Sequence, residues 1–438
     1  MARVGLCLGA VVLAVGVLIL IFGNAILNGY GKRHAERAFA ATHPGSVLRL
    51  GKLDYSLRAN RLVAQSATLT ATNSILKAGR LSLTGVRWAR LLWGTAPLAD
   101  VLARASLDAT NLDVEFPRAH YGLRCARLRA SVPNSELITD ETELRTLVGD
   151  EEFFAADAFR TTRFHLAMPE CSIFGLAYGE LLQGKSYRAK SARLSGPSFD
   201  ALVNRDKPAE PFVNRPLMVH EALAAIGLPL QVDRLTITNG SLRYCERVVA
   251  GAEPGVLTFG DVSMAVEGIA NRGGAAAALQ IRAQGDLMNA GTMRVLMSIP
   301  LAGSNFSLRY SGSLSAMDLT RLDAFLDIAE HTRIKSGSAQ AVAFEIDVTA
   351  GQASGHVRAI YGNLGFAVLD QHTGTEKGLD HRVASFLANA FKYRNSNAPD
   401  ASGSMKEGVV KYTRRPEDEF LQFAWFALRT GVVDVISR

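Results

Sequence analysis

"LTITNGSLRY", residues 235–244, sets the fold question for the whole chain. Leu235 and Ile237 alternate with threonines up to Asn239-Gly240, after which Leu242 and Tyr244 alternate with Ser241 and Arg243. Alternation on both sides of Asn-Gly predicts a β-hairpin with Leu235, Ile237, Leu242 and Tyr244 on one apolar face. Related phrases stand at 69–73 ("LTATN") and 107–111 ("LDATN"), the second running on through Leu112, Val114 and Phe116 to Pro117. A hairpin cannot bury its own apolar face, whereas hairpins placed edge to edge share one. The recurrence therefore predicts a degenerate repeat of strand-and-turn units.

Alternating segments continue outward from that stretch in both directions. "SVLRLGKLDYSL", "NRLVAQSATLTAT", "GRLSLTGVRW" and "YGLRCARLRASV" precede it, and "GVLTFGDVSMAVEGIA", "GTMRVLMSI" and "ASGHVRAIYGNLGFAVL" follow it. Each is bounded by Gly, Asn or Pro, as strands are. The fold class expected is mainly β with a few short helices: an N-terminal transmembrane helix, then an elongated, curled, open antiparallel sheet forming a half-barrel groove. About twenty strands at roughly 4.8 Å each would extend on the order of 90–100 Å, and a twisted sheet of that length must curl. With no large helical layer visible to cover it, the trough would expose apolar surface, which marks a ligand or partner site. Its candidate lining is Leu235, Ile237, Leu242 and Tyr244 with Leu112, Val114 and Phe116.

The domain organisation follows from shifts in composition. Residues 1–31 form the anchor and 32–205 a first β-groove segment, with an acidic helical insertion near 134–160. A proline-containing link and short helix occupy 206–230, a second β-groove segment 231–370, and C-terminal helices with a last strand 371–438. Val4 to Phe22 carries no charge and the apolar character runs on to Leu27, long enough to span hydrocarbon and too long for a cleaved signal peptide. Lys32, Arg33 and Arg37 follow it, so charge alone does not favour an exported body. In the last helix Phe420, Phe423, Ala424, Ala427 and Leu428 fall on one face, suited to capping the sheet or docking elsewhere.

The 438 residues carry a net charge of +7, and residues 30–130 hold 16 Lys/Arg against 6 Asp/Glu. Arg124, Arg127 and Arg129 sit between apolar positions, as solvated outer faces of strands do, although a basic segment also suits an anionic membrane surface. Cys7 lies in the apolar run; Cys125, Cys171 and Cys245 show no metal or redox spacing and read as small buried hydrophobes. No HExxH, Walker, GxGxxG, GxSxG or EF-hand pattern occurs, and His220-Glu221 lacks a second histidine. Ser74 and Lys77 match SxxK, with "KSG" at 335–337, but they stand in a strand-turn context rather than on a helical turn. No catalytic, metal or cofactor residue is assigned, and nucleic acid is not an expected partner.

The anchor, "SARLSGPSFDALVNRDKP" (191–208), "LPLQVDRLTITNGSLRYCER" (228–247), "GVLTFGDVSMAVEGIAN" (255–271) and "GHVRAIYGNLGFAVLD" (355–370) resemble the AsmA-like family of Gram-negative envelope proteins. The resemblance implies an inner-membrane, single-pass protein with its body in the periplasm, and an apolar β-groove. That groove would bind phospholipid acyl chains and conduct them between membranes in outer-membrane lipid homeostasis. It implies no catalytic residues. The partners expected are membrane phospholipids and, at the C-terminal end, an envelope protein or the opposite membrane. The alternatives are an envelope-assembly factor that holds polypeptide strands by β-augmentation, or a passive membrane-anchored scaffold.

Overall fold

The structure is a computed structural model that describes residues 24–25, 27–88, 90, 97–208, 216–272, 277–303, 305–370 and 393–437. The apolar run up to Gly23 and, of the amphipathic segment that the sequence suggests at 379–393, all but its last residue lie outside the described residues. Among the described residues no helix is long and apolar enough to cross a membrane. The chain divides into two compact units, one of Met1–Leu147 with Glu170–Lys185, the other of Val148–Pro169 with Ser186–Arg438.

The first unit is built on six strands: β1 (Val47–Ser56), β2 (Arg61–Ala71), β3 (Ser74–Thr84), β4 (Ser106–Phe116), β5 (Tyr121–Ser131) and β6 (Glu136–Thr146). Each pairs antiparallel with the next. "LTATN" is a true hairpin, Ala71 pairing with Ser74 around Thr72-Asn73. "LDATN" is not: Asn111 lies inside β4 at φ 53°, a left-handed conformation that Asn tolerates better than most residues. It belongs to a line of residues that cross all six strands at matched register: Gly51, Ser66, Gly79, Asn111, Ala126 and Glu141. Ser66 and Glu141 also have positive φ, at 82° and 49°. On β1 this extra residue shifts the alternation, so that Leu48 and Leu50 share a face with Leu53 and Tyr55. Such insertions bend a strand and increase its twist, and here they form one transverse crease. Gly51 is obligatory at its place, because a Cβ there would stand 2.1 Å from the Gln65 carbonyl oxygen.

The acidic segment is corrected from helix to strand in its first half. Glu136–Thr146 is β6, and only Asp150–Ala155 is helical. The reason lies on β5, whose outward Arg124 and Arg127 face Glu143 and Asp140 directly. Arg129 also reaches Asp140 at 3.1 Å and Arg127 reaches Asp108 at 2.5 Å. The basic and acidic runs are thus two sides of one charged outer face.

The second unit centres on β10 (Leu230–Arg247), an unbroken 18-residue strand that replaces the expected hairpin. Asn239, at φ 52°, is a bulge within it, and the register with β11 (Gly255–Ala270) shifts on both sides of Gly240. On its other side β10 pairs in parallel with β8 (Tyr187–Ser195) and then β9 (Ser198–Asn204), which lie end to end along it. Gly196 donates its N–H to the Thr238 carbonyl and Ser241 donates to that of Pro197, so the partner strand breaks where β10 bulges. These parallel pairs make the sheet mixed rather than antiparallel throughout. Residues 162–167 of β7 (Thr162–Phe174) add antiparallel to β9.

From β11 the pairing continues antiparallel through β12 (Ala278–Leu287), β13 (Gly291–Pro300) and β14 (Leu308–Leu314). Both β14 and the two-residue β15 (Met317–Asp318) pair with β16 (Thr332–Thr349), followed by β17 (Gln352–Val368) and β18 (Glu407–Thr413).

The inner face of this second sheet is not an open trough. The C-terminal helix (Phe420–Ile436) lies on it, with Phe423 and Ala427 fully buried among Ile299, Tyr310, Ile346, Val357 and Val410. Met218, ahead of the short helix Val219–Ala224, joins the same core. A second cluster, with Phe325 and Leu326 from the helix Asp323–Ala329, fills the other part of the face. The expectation of an uncovered face is corrected here. The helical layer exists: its 17-residue helix follows β17 and β18 in the chain and folds back onto them.

Candidate functional site

The two groups of candidate lining residues fall in different units and in different surroundings. In the second unit the bulge at Asn239 shifts the alternation by one, so Leu235, Ile237, Leu242 and Tyr244 all share the covered face. Leu235 packs against the main core and Ile237 lies opposite Met264, which does the same. Tyr244 packs against the second cluster, 6.0 Å from the Phe325 ring, and Leu242 lies opposite Phe259 at a third. All four are half-buried, and Leu235 and Tyr244 pack against core clusters.

Leu112, Val114 and Phe116 occupy the apolar face of the first unit, and pairing register reads out that whole face. One row across the strands is Leu48, Leu69, Leu76, Val114, Leu123 and Leu144. The next, on the same side of the crease, is Leu50, Ala67, Ala78, Leu112, Cys125 and Thr142. Beyond the crease come Leu53, Ala64, Leu81, Ala109, Leu128 and Thr139, then Tyr55, Leu62, Leu83, Leu107, Ala130 and Leu137. No position in the four rows is charged, whereas the intervening rows carry Lys77, Arg80, Asp113, Arg124 and Arg127. At roughly 3.3 Å per residue and 4.8 Å per strand the face measures about 23 by 24 Å, and its positions are half-buried or, as at Leu53, Ala78 and Ala109, buried. Among the described residues no helix packs on these rows; Val86, Val101 and Ala105 make a small cluster with Leu83 at one margin. Phe116 is 38% exposed at the opposite margin, and Leu112 and Val114 are half-buried.

Both outermost strands have their free edges closed by helical side chains. At β1, the Asn24 and Asn28 carboxamide oxygens accept the Tyr55 and Leu53 N–H groups at 2.8 and 2.6 Å, and Glu36 accepts that of Leu50 at 2.8 Å. At β18, Asp434 accepts the Val409 N–H at 2.7 Å and Thr430 that of Lys411 at 3.2 Å. The spacing explains the device. Four residues of helix rise ~6 Å and two residues of strand ~6.8 Å, so side chains at i and i+4 meet alternate N–H groups. These edges are thereby barred to an added strand.

A buried ionic cluster surrounds the C-terminal end of β10. Arg163, 5% exposed, is held by Asp150 at 3.1 Å and by Asp200. Arg247, 4% exposed, is paired with Glu151 and lies over the Phe154 ring at 4.7 Å. Glu246 takes hydrogen bonds from Arg205 at 2.5 Å and from the Tyr244 hydroxyl at 2.6 Å. Burial, and then the Glu246 charge, push the Tyr244 phenol far above its ordinary range. Burial likewise raises the Glu330 carboxyl, against the pull of Arg429 at 3.0 Å. Cations and carboxylates are matched pairwise here, the pattern of a cluster that fastens helix Asp150–Ala155 to the sheet.

Cys125, Cys171 and Cys245 are free thiols, with Cys125 and Cys245 buried; burial drives the Cys245 thiol up to about 11. The SxxK pair lies on β3, where Lys77 bonds Glu115 at 2.8 Å and an odd separation places Ser74 on the opposite face. His220 is buried and stacks on Phe306 at 6.2 Å. Among the described residues no group of three His, Cys, Asp or Glu is arranged to hold a metal. No family model matches the chain, and no curated protein matches it.

Proposed function

We propose that the protein binds phospholipid acyl chains on the apolar face of its first unit, and that it does so as an inner-membrane-anchored periplasmic protein. In this role it conducts lipid between membranes and contributes to outer-membrane lipid homeostasis. The observation that supports this reading is a four-row face of six strands without one charged residue. Each methylene laid on such a face contributes roughly 0.8 kcal/mol. The closed edges of β1 and β18 speak against the alternative, since a polypeptide held by β-augmentation needs a free strand edge. The uncharged run Val4–Phe22 supports the anchor and the AsmA-like resemblance supports the periplasmic side.

Mass spectrometry of the full chain extracted in mild detergent is the direct test. Phospholipid should co-purify, and Leu76→Glu together with Leu112→Glu should abolish it while leaving the fold intact. A co-purified unfolded client would favour the assembly factor, and neither molecule would favour a scaffold. A C-terminal reporter active only in the cytoplasm would overturn the topology.

A further inference from the structure

Resting on that reading of the anchor, we infer that the first unit is seated on anionic lipid headgroups by its β1 edge, through a basic surface that the folded chain leaves without counter-charges. The outward rows of the six strands divide in two. One runs Arg49, Thr68, Lys77, Asp113, Arg124 and Glu143, and the next Lys52, Gln65, Arg80, Thr110, Arg127 and Asp140. On β5 each outward arginine faces a carboxylate on a neighbouring strand: Arg124 opposite Asp113 and Glu143, Arg127 opposite Asp140, and Arg129 opposite Asp108. On β1–β3 the outward side chains include Arg49, Lys52, Arg61, Lys77 and Arg80 against one carboxylate, Asp54. Lys52 lies 3.6 Å from Asp54, and Lys77 bonds Glu115 of β4 at 2.8 Å. Arg49, Arg61 and Arg80 are exposed and form no ion pair among the described residues.

The same edge carries a second basic element. The π-helical turn Leu27–Gly31 and the helix Lys32–Thr42 run beside β1, fastened to it by the hydrogen bonds of Asn28 and Glu36. Arg33 and Arg37 are exposed on that helix, and Tyr30 just ahead of it is 72% exposed. Cations beside an exposed aromatic ring suit a helix lying at a membrane interface. The helix follows the uncharged run Val4–Phe22, so the basic edge is the part of the unit nearest the anchor in the chain. β3 stands roughly 10 Å from β1, about one Debye length at physiological salt. Charge is thus unbalanced where the potential of an anionic leaflet reaches, and balanced on the strands beyond it. Arg49 and Arg61 also stand about 23 Å apart along the strands, a span that calls for an extended surface rather than one small anion.

The test is photo-crosslinking of the full chain in nanodiscs of phosphatidylcholine, with or without phosphatidylglycerol, using benzoylphenylalanine in place of Gln65, Thr68 or Thr110. All three positions are outward, the first two on β2 and the third on β4. With phosphatidylglycerol, lipid adducts at 65 and 68 should exceed those at 110 by about fivefold. They should fall to the level at 110 in phosphatidylcholine alone, or at about 1 M salt, where the Debye length is roughly 3 Å. Arg49→Gln, Arg61→Gln and Arg80→Gln together should lower them by a similar factor. Equal adducts at all three positions, or adducts unchanged when the anionic lipid is left out, overturn the docking. In native membranes, a protein adduct at 65 and 68 in place of lipid overturns the choice of a membrane surface and favours an acidic partner protein. Absence of lipid adducts while phospholipid still co-purifies overturns the docking and leaves acyl binding standing; adducts without co-purified phospholipid do the reverse.

Discussion

The two units use the same strand chemistry and differ in what lies on the apolar face. In the second, Phe423, Ala427 and Val435 of the C-terminal helix are wholly buried against it. In the first, the leucine rows remain half-buried and the described helices touch only the edge and margins of the sheet. The difference teaches that alternation specifies which face is apolar but not what covers it. A covered face is core and contributes stability; an uncovered one of equal size costs solvent contact until a ligand takes the water's place.

The sharpest way to break that comparison is to uncover the second face. Deleting residues 416–438 should unfold the second unit outright, read as loss of its cooperative thermal transition and rapid proteolysis. A soluble body with an unchanged transition would show that the helix is dispensable to the core. Next in size is Phe423→Ala, at 0% exposure, which should cost about 3–5 kcal/mol in denaturant unfolding. Leu76→Ala in the first unit should cost well under half of that, because its side chain is already half in water. Equal losses would mean the two faces are equally packed.

A smaller effect is expected where the two units agree, at their edges. Asn28→Ala and Asp434→Ala each strand backbone N–H groups of an outer strand and should cost about 1 kcal/mol. Both should also promote edge-to-edge association, read by light scattering. Variants that stay monodisperse would argue that the helices do not guard the edges.

The smallest effect concerns pH. Burial raises the Glu330 carboxyl above its unfolded value, so the folded state holds this proton more tightly. Its contribution to stability is full below the ordinary carboxylate range and fades as pH rises through the folded value. Glu330→Gln should flatten that slope in Tm between acid and neutral pH. The first unit, whose outward ion pairs Arg127–Asp108 and Arg129–Asp140 are partly exposed, should contribute little to it. An unaltered slope in Glu330→Gln would assign the dependence to another group.

Much of this was legible in the sequence. Alternation identified the strands, and with them the apolar faces on which Leu112, Val114 and Leu235 lie. The run from Phe420 identified its helix. The crease was missed, although the alternation carried a signal beside it: Ala67, Ala78 and Ala109 occupy inward positions where the outer rows hold mostly leucines.

Only the tertiary structure decided the rest, because the deciding partners are distant in the chain. Asn239-Gly240 has the local geometry of a hairpin turn, and also of a bulge. The strands on both sides, β8 with β9 and β11, hold β10 straight through it. The acidic run 136–146 has leucines compatible with a helix, but the arginines of β5 select the extended form. Sequence alone specified the period of each segment, a property of neighbouring residues. Which apolar face a helix folds back to cover is a property of the folded chain, and it separates the core of this protein from its candidate binding surface.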